Sequence, residues 1–524
     1  MLDYLKRLIT TGAAYQAAEI VAKGIAVFTL PLYTRHVSTA GYGTYNSLLT
    51  SVILFSIVLR LGVGEAFVRF YFTDEDPERR ARIAKTATAT VAWTTTLASL
   101  VAVVFAGQLS ELLLGHRDAT LMYCAILGLW AFTNIEMAYA QLRVDERART
   151  YMYASGANVA MTVAFTIALV IVAGEGPRGL LLGNFGASAL TVLGLWWVLR
   201  ARWPKRGGEP EASVSRLRSL RVHFGDLRAM LRFGLPTVPA DASVYALQVA
   251  DRFYLLRGVS AGAAGEYAIA VQLATVVFVF VRGFQYAWPP LAYSIDSDED
   301  ASRLYAYVTT YFVLATGVVV VAVALLGRWL VRLLAAPEYF GAYRALPWLA
   351  LGWTLYGLYQ VMIAITGRAR VTQRNLPAAA AGLAVNIALL FALIPATGLG
   401  LGLAGAGIAL CGAYATMILI MHLLTRRVFA VRFQWARLGK LALILAAVAV
   451  SGELLLPTSG FAGLVLRTAW IAFVPALLWV TRFVSPGERS RARGLVADGR
   501  RRAAAFRAGH GDVEAYAEDP LKDV

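Results

Sequence analysis

Charge is scarce in this chain of 524 residues. Only 15% of its residues are Asp, Glu, Lys or Arg, against about a quarter in an ordinary soluble domain. With 58% hydrophobic residues and a mean hydropathy of +0.60, that shortage excludes a soluble globular fold. Cysteine is almost missing. Cys124 and Cys411 lie in separate apolar runs, which excludes a disulfide framework or a thiol metal motif and leaves them as packing residues. The histidines (His36, His116, His223, His422 and His510) are scattered, so no metal-ligand spacing exists. No GxxxxGK[ST] phosphate loop occurs, and the chain does not power itself with ATP through one. The amphipathic start, MLDYLKRLITT, lacks a cleavage-site pattern, and no removable signal is read there.

What the chain has instead is a succession of apolar runs near 20 residues, each able to cross a bilayer core of roughly 30 Å. Lipid offers no partner to open backbone groups, so such runs must be helical. A barrel would need short alternating segments. The expected fold is therefore all-α and polytopic, with 14 transmembrane helices near 12–34, 44–68, 86–113, 119–141, 151–173, 179–200, 230–256, 265–292, 304–334, 343–366, 375–395, 400–424, 437–456 and 461–484. The net charge of +17 would suggest nucleic acid in a soluble protein. Here the basic residues cluster in alternate short loops, and the positive-inside rule is the simpler account, with no nucleic-acid partner. Loops carrying Arg79, Arg80, Arg82 and Lys85, then Arg143, Arg147 and Arg149, then Arg368, Arg370 and Arg374, then Arg426 to Lys440, are expected to be cytoplasmic, as are both termini. The acidic run at 296–300, DSDED, falls on the same side as a solvated loop.

The chain reads as a duplication. RHVSTAGYGTY at Arg35–Tyr45 returns as RGVSAGAAGEY at Arg257–Tyr267, an offset of 257 − 35 = 222. Arg35, Val37, Ser38, Gly43 and Tyr45 recur as Arg257, Val259, Ser260, Gly265 and Tyr267. The same offset pairs Gly12 with Gly234, Glu19 with Asp241 and Arg60 with Arg282. An even number of spans per repeat makes the halves parallel, about an axis along the membrane normal. The expected layout is an N-lobe of six spans over 1–200, a cytoplasmic linker with a basic amphipathic helix over 201–229, a C-lobe of six spans over 230–426, two extra spans over 427–484 and a polar cytoplasmic tail over 485–524. The basic stretch SRLRSLRVHFGDLR is expected on the anionic inner leaflet. Arg35 and Arg257, at the outer ends of spans 1 and 7, read as interface anchors, and the two motif copies as the outer hinges of the lobes.

Charges inside spans carry what chemistry the sequence offers, because an ionisable group at membrane depth costs several kcal/mol and faces a wet cavity or a partner. They are Glu19 and Lys23 in span 1, Arg60 and Glu65 in span 2, Glu136 in span 4, Asp241, Asp251 and Arg252 in span 7, and Arg282 in span 8. Glu19 and Lys23, spaced i and i+4, form a self-neutralising pair on one reading. On the other, Lys23 lines a cavity with Arg60, Arg252 and Arg282 as an anion site, where the bidentate guanidinium fork suits phosphate. Glu19, Asp241, Asp251 and Glu65 are the candidates for coupling to an ion, or they neutralise the arginines. No cofactor and no metal is expected.

LPLYTRHVSTAGYGTYNSLLT resembles the first hinge of the oligosaccharide (Wzx-type) flippases, in the polysaccharide-transporter branch of the multidrug/oligosaccharidyl-lipid/polysaccharide exporter superfamily. LRFGLPTVPADASVYALQVADRFYLLRGVSAGAAGEYAIA is similar to the start of that family's second lobe, with its Gly234-Leu235-Pro236 entry, its Asp251-Arg252 pair and its closing Gly265-x-Tyr267. The resemblance covers spans 1–12. It implies two six-helix lobes about a central cleft and alternating access. It also implies a polyprenyl-diphosphate-linked oligosaccharide as cargo, with a polysaccharide polymerase and co-polymerase as partners in the bacterial cytoplasmic membrane. In related lipid flippases, cationic residues in spans 1, 2 and 8 serve the cavity. Lys23, Arg60 and Arg282 occupy those spans here. The alternatives are a cation-coupled drug exporter of the same superfamily, and a membrane polymerase or ligase. The latter needs a large periplasmic loop that this chain lacks.

Overall fold

The structure, a computed structural model, describes residues 24–73, 76–145, 147–199, 222–293, 295 and 297–483. Among them there is no strand. The first half holds α1 (Gly24–Thr34), α2 (Thr39–Leu59), α3 (Val63–Thr73), α4 (Pro77–Val104), α5 (Ala106–Leu114), α6 (Ala119–Val144), α7 (Ala148–Val172) and α8 (Gly176–Leu199). The second holds α9 (Phe224–Gly234), α10 (Val238–Gly258), α11 (Ala261–Tyr293), α12 (Asp298–Leu334), α13 (Leu346–Arg368), α14 (Asn375–Leu393) and α15 (Gly402–Thr425). α16 (Trp435–Leu455) and α17 (Gly460–Val480) follow. Twelve of these helices are long and apolar enough to cross a membrane: α2, α4, α6, α7, α8 and α11 to α17. Of the fourteen expected spans, the first is seen only as α1, its earlier residues lying outside those described. The seventh is α10, whose 21 residues include the charged Asp241, Asp251, Arg252 and Arg257 and which is not among the twelve.

The helices pack as two bundles. In the first, α6 lies against α8, α4 and α2, and α7 against α8; in the second, α15 lies against α14 and α13, with α11 against α13 and α10 against α14. The bundles meet where α2 packs on α11 and α10, and α16 and α17 pack outside the second bundle on α12.

Three boundaries differ from the sequence reading, each for a physical reason. The stretch 44–68 is not one span. It breaks after α2 at Leu61 and Gly62, both left-handed with φ of 52° and 67°, and resumes as α3. Gly62 is held there by backbone: a Cβ on it would strike the Gly234 carbonyl, and one on Gly234 would strike that of Gly62. Gly62→Ala is therefore expected to lose roughly 1–2 kcal/mol from the left-handed backbone alone and more from the collision. Leu61→Gly, at an equally left-handed residue, should gain stability. Thermal unfolding of the detergent-purified protein checks both signs.

The acidic run is solvent-exposed, as expected, but its residues 298–300 are helix rather than loop. It opens α12: the Ser297 hydroxyl accepts from the Asp300 amide at 3.4 Å, and Asp298, Glu299 and Asp300 fill the first turn, where carboxylates suit the positive end of the helix dipole. Arg368 binds it, donating from Nε at 2.9 Å and from a terminal nitrogen at 2.8 Å to Asp298, and to the Ile295 carbonyl at 2.7 Å.

The linker's basic stretch lies mostly outside the described residues. Its end, α9, does not present its apolar side to lipid. Met230, Leu231 and Phe233 pack with Val63, Phe67 and Ile83 of α3 and α4. Arg82 donates to Asp226 at 2.9 Å, and the Arg69 guanidinium lies 4.4 Å over the Phe233 ring. Pro236 then ends the helix in a 3-10 turn, Leu235–Thr237, because proline cannot donate to the ladder. Pro239 sits in the first turn of α10, where the missing donor costs nothing.

Candidate functional site

The two copies of the repeated motif meet each other. Gly43 of α2 and Gly265 of α11, equivalent residues, lie at the crossing of the two bundles. A Cβ on Gly43 would collide with the Ala261 carbonyl, and one on Gly265 with the Thr39 carbonyl. Since 39 + 222 = 261, the contact is its own mirror under the repeat, as in an isologous interface. Only residues without side chains let helix backbones approach so closely. The motif is thus a seam between the halves rather than a pair of separate hinges. Other bonds reinforce this end. Tyr339 donates to the Val37 carbonyl at 2.7 Å, and the Ala336 amide to the Thr34 hydroxyl at 3.1 Å, so the 3-10 segment Pro337–Arg344 is tied to the first half. Arg257 donates to the Glu111 carbonyl at 3.1 Å. It caps the C-terminus of α5 in the opposite bundle, a role that the anchor reading did not include.

Farther along the same cleft is a cavity of about 200 Å³, lined by Ile57, Arg60, Gly62, Glu65, Val238 and Asp241. Its three charges sit at three helix ends. Arg60 caps the C-terminus of α2, Glu65 lies in the first turn of α3, and Asp241 in the first turn of α10. Each charge has the sign that its helix end favours, so the break at Leu61–Gly62 creates the site. Arg60 Nε is buried without a hydrogen-bond partner. Among the described residues no ion pair joins Arg60 to either acid. A guanidinium held at such a break is open to an anion.

Asp251 and Arg252 belong elsewhere, to a cavity of about 60 Å³ inside the second bundle, walled by Val249, Val271, Leu349 and Leu410. Asp251 is 1% exposed. One of its oxygens accepts from the Tyr267 hydroxyl, the other from the Arg252 amide at 2.8 Å. Arg252 Nε and Trp353 Nε1 reach no partner.

Arg282 lines neither cavity. Its guanidinium lies 4.9 Å over Phe278 and donates to Gln285 at 3.2 Å. The structure therefore brings Arg60 together with Glu65 and Asp241, and separates Arg252 and Arg282 from them. Glu19 and Lys23 lie outside the described residues. The sequence reading passed over Glu453 and Arg467, in the two extra spans, although each is charged within an apolar run. It also left Tyr267 without a role, which only the fold reveals.

Residues 11–295, more than half of the chain, match the polysaccharide biosynthesis protein family. A curated relative, "Lsg locus putative protein 1" of Haemophilus influenzae (strain ATCC 51907 / DSM 11121 / KW20 / Rd), is 24% identical over 281 residues; the match spans 53% of this chain and 64% of the relative's length, less than two thirds. Among solved structures, the lipid II flippase MurJ in an inward closed conformation superposes with a TM-score of 0.68 at 13% identity, covering 91% of this chain and 99% of that one. An inward-facing multidrug resistance MATE family transporter of the MOP superfamily gives 0.61 at 15% identity over 79% and 95%. The chain belongs to the polysaccharide biosynthesis protein family, and it is a multi-pass membrane protein with the fold shared by MurJ and the MATE transporters.

Proposed function

We propose that this protein moves a polyprenyl-diphosphate-linked oligosaccharide from the cytoplasmic to the periplasmic leaflet of the bacterial inner membrane, by alternating access, for cell-surface polysaccharide synthesis. The observation that carries the reading is the cleft cavity with its unpartnered Arg60, in a chain of the polysaccharide biosynthesis family. A diphosphate is the part of such a cargo that a buried guanidinium grips, through charge-assisted bidentate bonds. Arg60 takes that role; Lys23 and Arg282, the latter outside this cavity in the present conformation, join it as the bundles rock. The basic loops then face the cytoplasm, as do both termini. Arg252, enclosed in its own bundle beside Asp251, is assigned no contact with the cargo. Glu19, Glu65, Asp241 and Asp251 are the groups through which an ion gradient would drive the cycle. A polymerase and co-polymerase take the product at the outer leaflet.

In proteoliposomes loaded with a lipid-linked oligosaccharide, Arg60→Gln is expected to slow flipping about 10-fold to 100-fold, the cost of a lost charged hydrogen bond at 1.5–3 kcal/mol. Size-exclusion behaviour should stay unchanged. Wild-type flipping by an Arg60→Gln/Arg282→Gln double variant would remove the diphosphate site from the account. Glu65 and Asp241 in the same cavity favour one rival, a cation-coupled exporter of organic cations. That rival predicts uptake of a dye cation into the same vesicles, which the flippase reading does not.

A further inference from the structure

We propose that Asp251 is a proton site closed to metal cations, and that Tyr267 passes its protonation state to the Gly43–Gly265 seam; the proposal rests on the transport reading above and names the ion and its route.

The donor chemistry selects the proton. A hard cation needs several oxygen ligands. Both oxygens of Asp251 already accept, from Tyr267 and from the Arg252 amide. Of the unpartnered atoms of the cavity, Arg252 Nε and Trp353 Nε1 are donors without acceptor capacity, and the Tyr414 hydroxyl adds one neutral oxygen, fewer ligands than a hard cation takes. A guanidinium beside the carboxylate further repels a metal ion. Among the described residues no cluster of three or more His, Cys, Asp or Glu could hold one. A proton needs only the carboxylate itself. The groups around it are Tyr245 and Arg252 on α10, Tyr42 of α2 facing Arg252, Tyr267 on α11, Tyr356 on α13, and Cys411 and Tyr414 on α15. Of these, only Arg252 is ordinarily charged, so Asp251 is the one acid of the site and the group that can take up a proton.

The geometry gives the route. A carboxylate accepts the Tyr267 hydroxyl; a protonated acid keeps one acceptor oxygen, and because the Arg252 amide can only donate, that oxygen stays with the amide and the acid's O–H is presented to Tyr267. The bond must then reverse or break. Tyr267 is fully buried, so its ring cannot turn out into solvent, and the change falls on α11. Two residues earlier on that helix, Gly265 lies in backbone contact with Thr39 and Gly43, which leaves no slack to absorb a shift. The first half keeps the tyrosine but lacks the switch. Tyr45 stands where 267 − 222 = 45 requires and accepts from Asn184 at 3.5 Å. At 251 − 222 = 29 the residue is Thr29, a neutral hydroxyl that donates to the Ala26 carbonyl at 3.2 Å. The repeat is symmetric at the seam and asymmetric at the titrating group.

Purified protein without cargo tests this. Trp353 lines the cavity, so the fluorescence difference between wild type and Trp353→Phe reports on it. That signal should titrate with pH, persist in Tyr267→Phe, vanish in Asp251→Asn and ignore replacement of potassium by sodium. Thr39→Cys with Gly262→Cys reads the seam, since the two Cβ positions are 3.9 Å apart, within disulfide range. At one fixed pH, Asp251→Asn, a neutral mimic of the protonated acid, should lower the yield of that disulfide on the order of fivefold. In a Tyr267→Phe background it should have no effect. A sodium-dependent Trp353 signal, an unchanged yield in Asp251→Asn, or the same fall in both backgrounds overturns the proposal. Because no cargo is used, these outcomes leave the flippase reading standing, and a failed flipping assay leaves them intact.

Discussion

Arg467→Ala is expected to cost the folded protein about 3 kcal/mol, since hydrogen bonds to a charged group are worth about 1.5–3 kcal/mol each. Arg467 is fully buried. Its guanidinium donates to the Pro457 carbonyl at 2.9 Å, the Leu325 carbonyl at 3.0 Å, the Leu456 carbonyl at 3.2 Å and Glu453 at 2.7 Å. It also lies 5.5 Å over the Trp329 ring. Leu325 and Trp329 belong to α12, Glu453 to α16, and Arg467 itself to α17. One side chain therefore joins the two added spans to the second bundle at the α16–α17 turn. Its loss takes a donor from three carbonyls, the Leu325 bond buried and the Leu456 and Pro457 bonds part-buried, and empties the buried volume that the side chain fills. Glu453 keeps a second partner, Arg328, at 2.5 Å, so Glu453→Gln should cost less. Arg467→Lys should fall between, because an ammonium cannot reproduce the planar fork that reaches several acceptors at once. Thermal unfolding in detergent ranks the three variants, and protease nicking at the turn locates the damage. An Arg467→Ala protein as stable as wild type would mean that α16 and α17 are held by apolar packing alone.

The sequence made the membrane class and the duplication legible because both are written in spacing. Apolar runs and a motif repeated at a fixed offset survive without knowledge of helix rotation. Facing is not written there. Arg60 and Asp241 are 181 residues apart, since 241 − 60 = 181, and nothing local shows that they share a cavity while Arg60 and Arg282, paired by the repeat, do not. The break at Leu61–Gly62 was hidden for another reason. A hydropathy window reads composition, and LRLGVGEAF stays apolar enough to pass through a left-handed turn unnoticed. A readable cue was present in Gly62 and Gly64. Arg467 was hidden by its partners. Three of its four acceptors are backbone carbonyls, which no residue pattern encodes. The motif glycines were visible but were assigned to hinges, because a spacing repeated within the chain marks a position as constrained and does not say which element presses on it.

Those glycines carry the remaining large effect. Gly43→Val and Gly265→Val should each hold the bundles apart at the seam, since even the first carbon of a side chain collides there with backbone of the opposite helix. Backbone cannot rotate aside as a flexible side chain can, so the helices must separate, and the tight small-residue packing between them is lost. Ala264, next to Gly265 and 2% exposed, reports the change. In an Ala264→Cys background, alkylation by a membrane-impermeant reagent should be slow for the parent and faster by on the order of tenfold or more in either valine variant, the ratio for a shift of about 1.4 kcal/mol in seam opening. Gly194→Val is the control, since its Cβ meets nothing within 4 Å. The repeat symmetry sharpens the expectation. Gly43 presses on Ala261 and Gly265 on Thr39, the same contact seen from both sides, so the first valine opens the gap that the second would occupy. The double variant should therefore label scarcely faster than either single, a strong departure from additivity between touching sites. Rates that multiply in the double variant would show two independent contacts and would dissolve the isologous seam as a unit.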